Sequence, residues 1–77
     1  MDNKDIKGIH KAIDENIDAI KALFDSAKIM QSSIPQLTND KDRETMKKQF
    51  KNVAEAINRL MESTTKLFEL LENAESE

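Results

Sequence analysis

The chain has no cysteine, tryptophan or tyrosine, and only one glycine and one proline among its 77 residues. Without cysteine it can form neither disulfides nor thiolate metal sites. The scarcity of glycine and proline suits long helices and disfavours a sheet with many turns. No apolar run approaches the roughly 20 residues of a membrane-spanning helix, and residues 1–5 (MDNKD) lack the features of a signal peptide. We therefore expect a cytoplasmic protein with one domain over residues 1–77.

Residues 33–40 (SIPQLTND) combine the signal of a helix end with that of a helix start. Pro35 has no amide hydrogen and disfavours the α conformation at Ile34, so a first helix should end near Ser33. The side-chain oxygens of residues 38–40 (TND) can then cap a second helix. This order of signals predicts two helices joined by a short turn.

Residues recur at heptad spacing on both sides of this turn, the pattern of helices that pack along one seam. When the two arms are folded about residue 40, each a position meets a d position of the other arm. The two polar seam residues, Asn16 and Thr64, then share one layer, where a buried polar pair can set the register. The seam consists of Ile6, Ile9, Ile13, Asn16, Ile20, Leu23, Ala27, Met30 and Ile34, and of Met46, Phe50, Val53, Ile57, Leu60, Thr64, Leu67, Leu71 and Ala74.

The sequence thus predicts an all-α antiparallel helical hairpin with coiled-coil patterning. We expect helices at about residues 4–33 and 41–73, a turn at 34–40 and a frayed tail at 74–77. One interface between two helices rarely buries enough core for a chain of this size. Because disulfides are excluded and no metal site is evident, we expect the chain to associate into a homodimeric four-helix bundle.

One side of the predicted hairpin, which we call the e flank, places large apolar residues beside the seam. The opposite side, the g flank, carries mostly small residues: Ala12, Ala19, Ser26, Ser33, Gln49, Ala56, Ser63 and Leu70. Full burial of the large e-flank side chains would contribute roughly 1.5–3 kcal/mol each. We interpret the e flank as a dimer interface and leave open that it docks a helix of another protein. Its members are His10, Ile17, Phe24, Gln31, Ala54, Met61 and Phe68.

No residue cluster predicts catalysis or a metal site. His10 is the single histidine, and Asp14 lies one turn further on, but no third ligand is placed to join them. There is no Gly-rich phosphate loop and no histidine beside a nucleophile, and the carboxylates lie on solvated helix faces. We expect a protein that is not an enzyme and needs no cofactor or metal.

Five basic residues follow the turn and could contact an anion or nucleic acid: Lys41, Arg43, Lys47, Lys48 and Lys51. Acidic residues at positions 40, 42 and 44 cancel much of this charge, and no aromatic residue is interleaved for base stacking. The net charge is −3, which gives no overall attraction to nucleic acid or to anionic membrane. The preferred function is a non-catalytic protein–protein interaction module, such as an adaptor, an inhibitor or a chaperone for a helical protein. The alternative is a small nucleic-acid-binding regulator.

In hairpin length and lack of cysteine the chain resembles small helical-hairpin proteins exported by specialised bacterial secretion systems. Those proteins carry a Trp-x-Gly motif at the turn, where this chain reads Ile34-Pro35-Gln36. The resemblance is therefore limited to architecture and implies no function.

Overall fold

The computed structural model describes residues 2–76 and shows two long helices packed as a hairpin. The first helix, α1, spans Asn3–Ser33, and the second, α2, spans Asp40–Glu75. A short 3-10 helix, Ile34–Gln36, lies between them. The hairpin is a rod of 58 × 14 × 13 Å with a radius of gyration of 17.4 Å, whereas a compact domain of this length would have about 11 Å. The predicted all-α hairpin is confirmed.

Both helices begin at a capping residue. The Asp2 carboxylate accepts a hydrogen bond from the Lys4 amide at 3.2 Å, and α1 starts at the next residue. Of the three candidate caps after the turn, Asn39 fills the position, since its Oδ1 accepts from the amides of Lys41 at 2.8 Å and Asp42 at 3.4 Å. Each cap satisfies amides that have no acceptor within the helix.

The first helix ends at Ser33, where the Pro35 signal places its end. The chain then tightens into the 3-10 helix, with Pro35 in its first turn, and the Leu37 amide donates to the Ile34 carbonyl at 3.2 Å. Leu37 has an extended backbone, which turns the chain toward α2. A proline without an amide is tolerated in this first turn, because that amide would have no partner there.

The core of the hairpin is the heptad seam. All eighteen predicted seam residues are buried or half-buried, and the most enclosed of them are Ile13, Ile57, Thr64, Leu71 and Ala74. No large side chain within residues 2–76 is fully enclosed. The reason is geometric, since each helix covers its partner's seam from one direction only. The core is therefore a single thin layer.

The second helix extends past its predicted end near residue 73. It continues through Glu75, and Ala74 is only 8% exposed. The Ser76 amide still donates to the Glu72 carbonyl at 3.1 Å. Ala74 is the last position of the seam, so its burial against α1 favours a helical backbone beyond residue 73. Residue 77 of the predicted tail lies outside the described residues.

Candidate functional site

The e flank holds three large apolar side chains that the hairpin leaves half in water. Phe24 is 45% exposed, Met61 48% and Phe68 51%, while Ile17 beside them is half-buried. Ile17 and Phe24 come from α1, and Met61 and Phe68 from α2, so both helices contribute to the surface. Because large apolar side chains are seldom left exposed together on a small protein, the e flank is the candidate interaction surface of the hairpin.

The remaining members of the e flank extend this surface toward its two ends. His10, Gln31 and Ala54 are all exposed. Ala54 lies one heptad before Met61 on α2 and leaves space beside the larger side chains. His10 lies one heptad before Ile17 on α1, at the edge of the apolar row. Six of the seven predicted e-flank residues are therefore exposed, and the seventh, Ile17, is half-buried.

The g flank differs from the e flank in the size of its side chains. Its alanines, together with Ser26 and Ser33, are half-buried at the edge of the seam. Leu70 is the exception, with 48% of its surface exposed. Leu70 is not part of an apolar row, because no large apolar residue lies one heptad away from it on its own helix.

One exposed apolar residue was not identified from the sequence. Ile29 is 68% exposed on the outer face of α1, away from both flanks. It occupies a c position of the heptad, where the pattern predicts a polar residue. Single exposed apolar residues are ordinary on protein surfaces and need no partner.

Asn16 and Thr64 meet across the seam, as their heptad positions predict. Asn16 Nδ2 donates to Thr64 Oγ1 at 3.2 Å and to Ser63 Oγ at 3.3 Å. Thr64 Oγ1 donates in turn to the Leu60 carbonyl at 2.6 Å. Ser63 belongs to the g flank, and sequence reasoning missed it as a third member. The polar layer therefore opens toward the g flank, and the e flank beside it stays apolar.

The structure separates Arg43 from the other four basic residues after the turn, which lie on one side of α2. Lys41, Lys47, Lys48 and Lys51 are exposed, but Arg43 is half-buried at the turn end of the seam. One guanidinium nitrogen of Arg43, Nη2, lies 3.5 Å from Asp40 Oδ1, and its Nε is buried without an acceptor. Successive helical residues rotate by about 100°, which places Asp40 and Glu44 between the lysines around α2. Acidic groups thus lie within the basic surface.

A shallow depression of 490 Å³ lies on the outside of α2. A single helix supplies its whole lining, so no second wall encloses a ligand, unlike the usual small-molecule site. Met61 alone connects it to the e flank. The lining residues are Asn58, Met61, Glu62, Thr65, Lys66 and Glu69.

Two kinds of feature are absent from residues 2–76. No three histidine or acidic side chains come together there in a way that could hold a metal ion. Neither helix combines the length and the apolar character needed to cross a membrane.

No protein family, curated protein or solved structure matches this chain. Among the described surfaces, the e flank has the largest exposed apolar side chains in one row.

Proposed function

We propose that this protein is a non-catalytic, cytoplasmic protein–protein interaction module that pairs through its e flank into a homodimeric four-helix bundle with coiled-coil packing. The observation that supports this best is the row of Phe24, Met61 and Phe68, each about half exposed on one flank. Four-helix bundles pair hairpins in this way and convert two thin seams into one enclosed core.

The surface area of the hairpin supports pairing. The chain exposes 6009 Å², whereas a compact monomer of 8.8 kDa would expose about 4,800 Å². A compact protein of twice that mass would expose about 7,900 Å². Pairing into a bundle as compact as an average protein would therefore remove at most about 4,000 Å² from water, which is within the range of obligate homodimers.

The free energy gained by burying the exposed side chains also supports pairing. Burying the exposed half of Phe24, Met61 or Phe68 contributes roughly 1 kcal/mol per side chain. A two-fold dimer buries each of them twice, so the sum is a large part of the net stability of a small domain, about 5–15 kcal/mol. Pairing thus supplies stability that a single seam lacks.

The biological role that suits such a module is that of an adaptor, an inhibitor or a chaperone for another helical protein. An amphipathic helix of a different protein would present the same kind of apolar stripe to the e flank as a second copy does. In a dimer the e flank is covered, so a partner of the dimer would contact the polar outer faces of the helices.

Sedimentation equilibrium over a wide concentration range tests the proposal. Wild-type protein should be a dimer, and Met61→Glu should dissociate or unfold it, because a carboxylate would be buried in the interface. Leu70→Glu is a matched control, since Leu70 and Met61 are both 48% exposed on α2 but lie on opposite flanks. It should leave the dimer intact. A wild-type chain that stays a folded monomer would overturn self-association and leave the e flank for a different helical protein.

The second candidate function is a nucleic-acid-binding regulator. The exposure of the four lysines after the turn favours it. Phosphate contacts would make its binding strongly salt-dependent. Filter binding at two salt concentrations, with wild type and with Lys47→Glu/Lys51→Glu, tests it. Binding at low salt that the double variant abolishes would support this function, and no binding at low salt would exclude it.

A further inference from the structure

The two halves of the hairpin carry opposite net charge. The half nearest the turn, residues 21–59, has eight basic and five acidic side chains, a net charge of +3. The other half, residues 2–20 and 60–76, has four basic and nine acidic side chains, a net charge of −5. The rod is 58 Å long, several times the screening length of about 8 Å at physiological salt. Each end therefore presents its own charge to a partner.

Two copies can bring their e flanks together in two ways that keep the helices aligned. A two-fold axis along the helices puts both turns at the same end, with α1 against α2 of the second copy. An axis across the helices puts the turns at opposite ends, with α1 against α1 and α2 against α2. Both arrangements bury Phe24, Met61 and Phe68, so apolar burial alone does not choose between them.

The distribution of charge along the hairpin distinguishes the two arrangements. With the turns together, positive half meets positive half and negative meets negative. With the turns at opposite ends, each +3 half lies along a −5 half. Complementary charge of this kind fixes the orientation of an interface and excludes the wrong one. We infer that the dimer of the proposed function, on which this inference rests, is antiparallel: the two turns lie at opposite ends of the bundle.

The heptad positions along α2 specify the pairing. The e positions of α2 are Lys47, Ala54, Met61, Phe68 and Glu75, spaced by seven residues with Met61 in the middle. An axis at Met61 places Lys47 opposite Glu75 of the second copy and Ala54 opposite its Phe68. The lysine thus meets a carboxylate, and the small side chain meets the large one. Lys47 and Glu75 are both exposed in the hairpin.

The first helix fits the same axis approximately. Its e positions His10, Ile17 and Phe24 are also spaced by seven, and Ile17 lies level with Ser63, two residues or about 3 Å from Met61. An axis at Met61 therefore brings Ile17 to within about 6 Å, along the bundle, of Ile17 of the second copy, and Phe24 equally near its His10. Under one axis, Phe68 faces the smaller Ala54 and Phe24 lies near the smaller His10.

Disulfide trapping tests the orientation, because the chain contains no cysteine of its own. Lys47→Cys and Glu75→Cys are made separately and mixed, so that any disulfide joining the two is intermolecular. The control mixture is Lys47→Cys with Gln31→Cys, which face each other only if the two turns lie at the same end. A disulfide needs its Cα atoms within about 7 Å. All three residues are exposed and occupy e positions of the heptad repeat near the ends of the apolar row.

Lys47→Cys with Glu75→Cys should form covalent heterodimers about 100-fold faster than the control mixture at micromolar protein, because pairing raises the local thiol concentration to the millimolar range. Faster trapping of the control mixture would overturn the inference in favour of joined turns. A dimer that traps neither mixture would overturn it as well.

Sedimentation under reducing conditions, before oxidation, separates this result from a failure of the proposed function. A chain that is monomeric at every concentration means that self-association itself is wrong. As a second measurement, Lys47→Glu should weaken the wild-type dimer about fivefold through two symmetric contacts, and Lys47→Glu/Glu75→Lys should restore it. No rescue by the charge exchange would count against the pairing.

Discussion

Asn16 on α1 donates a hydrogen bond to the Thr64 hydroxyl on α2 at 3.2 Å, across a seam lined mainly by apolar side chains. In this contact the Thr64 hydroxyl is the acceptor. Its own hydrogen is donated to the Leu60 carbonyl one turn earlier. The amide also reaches Ser63 at 3.3 Å on the g flank. The layer thus joins the helices while leaving the e flank apolar.

Replacing Asn16 by leucine should stabilise the hairpin. Thr64 keeps an acceptor for its hydroxyl, so no donor is left unpaired, and the new side chain adds apolar burial to the seam. We expect the free energy of unfolding to rise by about 1 kcal/mol, the direction known for polar seam residues in coiled coils. Urea unfolding measures it. Asn52→Leu, on the exposed face of α2, controls for helix propensity and should gain less stability. A loss of stability in Asn16→Leu would contradict the prediction.

Replacing Gly8 by alanine should also stabilise the protein. Gly8 lies within α1, is exposed, and an added Cβ would meet nothing within 4 Å. A helical glycine costs about 1 kcal/mol relative to alanine, so the melting temperature should rise by about 4–8 °C. Ala22→Gly, at an exposed position of the same helix, should lower it by a similar amount. An unchanged melting temperature for Gly8→Ala would mean that α1 is not helical at this position in solution.

Replacing Ala74 by glutamate tests the end of α2. Ala74 is buried at the last seam position, so a carboxylate there should lower the free energy of unfolding by about 1–2 kcal/mol. The neighbouring Asn73 is exposed, and Asn73→Glu should have little effect. Thermal unfolding followed by circular dichroism compares the two variants. Equal stabilities would mean that the chain frays before residue 74.

Much of this fold follows from local sequence features. A proline cannot donate the backbone hydrogen bond that continues an α-helix, and the Pro35 signal places the end of α1 at Ser33. Heptad spacing assigns residues to a face of each helix before any contact is known, which is why all eighteen predicted seam residues are buried or half-buried. The e flank follows from the same spacing, although its role as an interface remains a prediction.

Other features depend on how the two helices lie against each other. Whether the tail frays depends on the burial of Ala74 against a helix more than sixty residues earlier in the chain. The direction of the Asn16 amide toward Ser63 depends on the rotation of both helices about their axes. Arg43 lies one heptad before Phe50, so the spacing already places it at the seam, but its half-burial depends on the path of the turn.

Helical periodicity and the backbone limits of proline are enough to predict the hairpin, its seam and the face on which each residue lies. How much of each side chain stays in water depends instead on the packing of the two helices. The exposed fraction of a side chain depends on how much of it the other helix covers. The heptad spacing does not predict that coverage. Phe24, Met61 and Phe68 are half exposed because one seam between two helices is too narrow to enclose them.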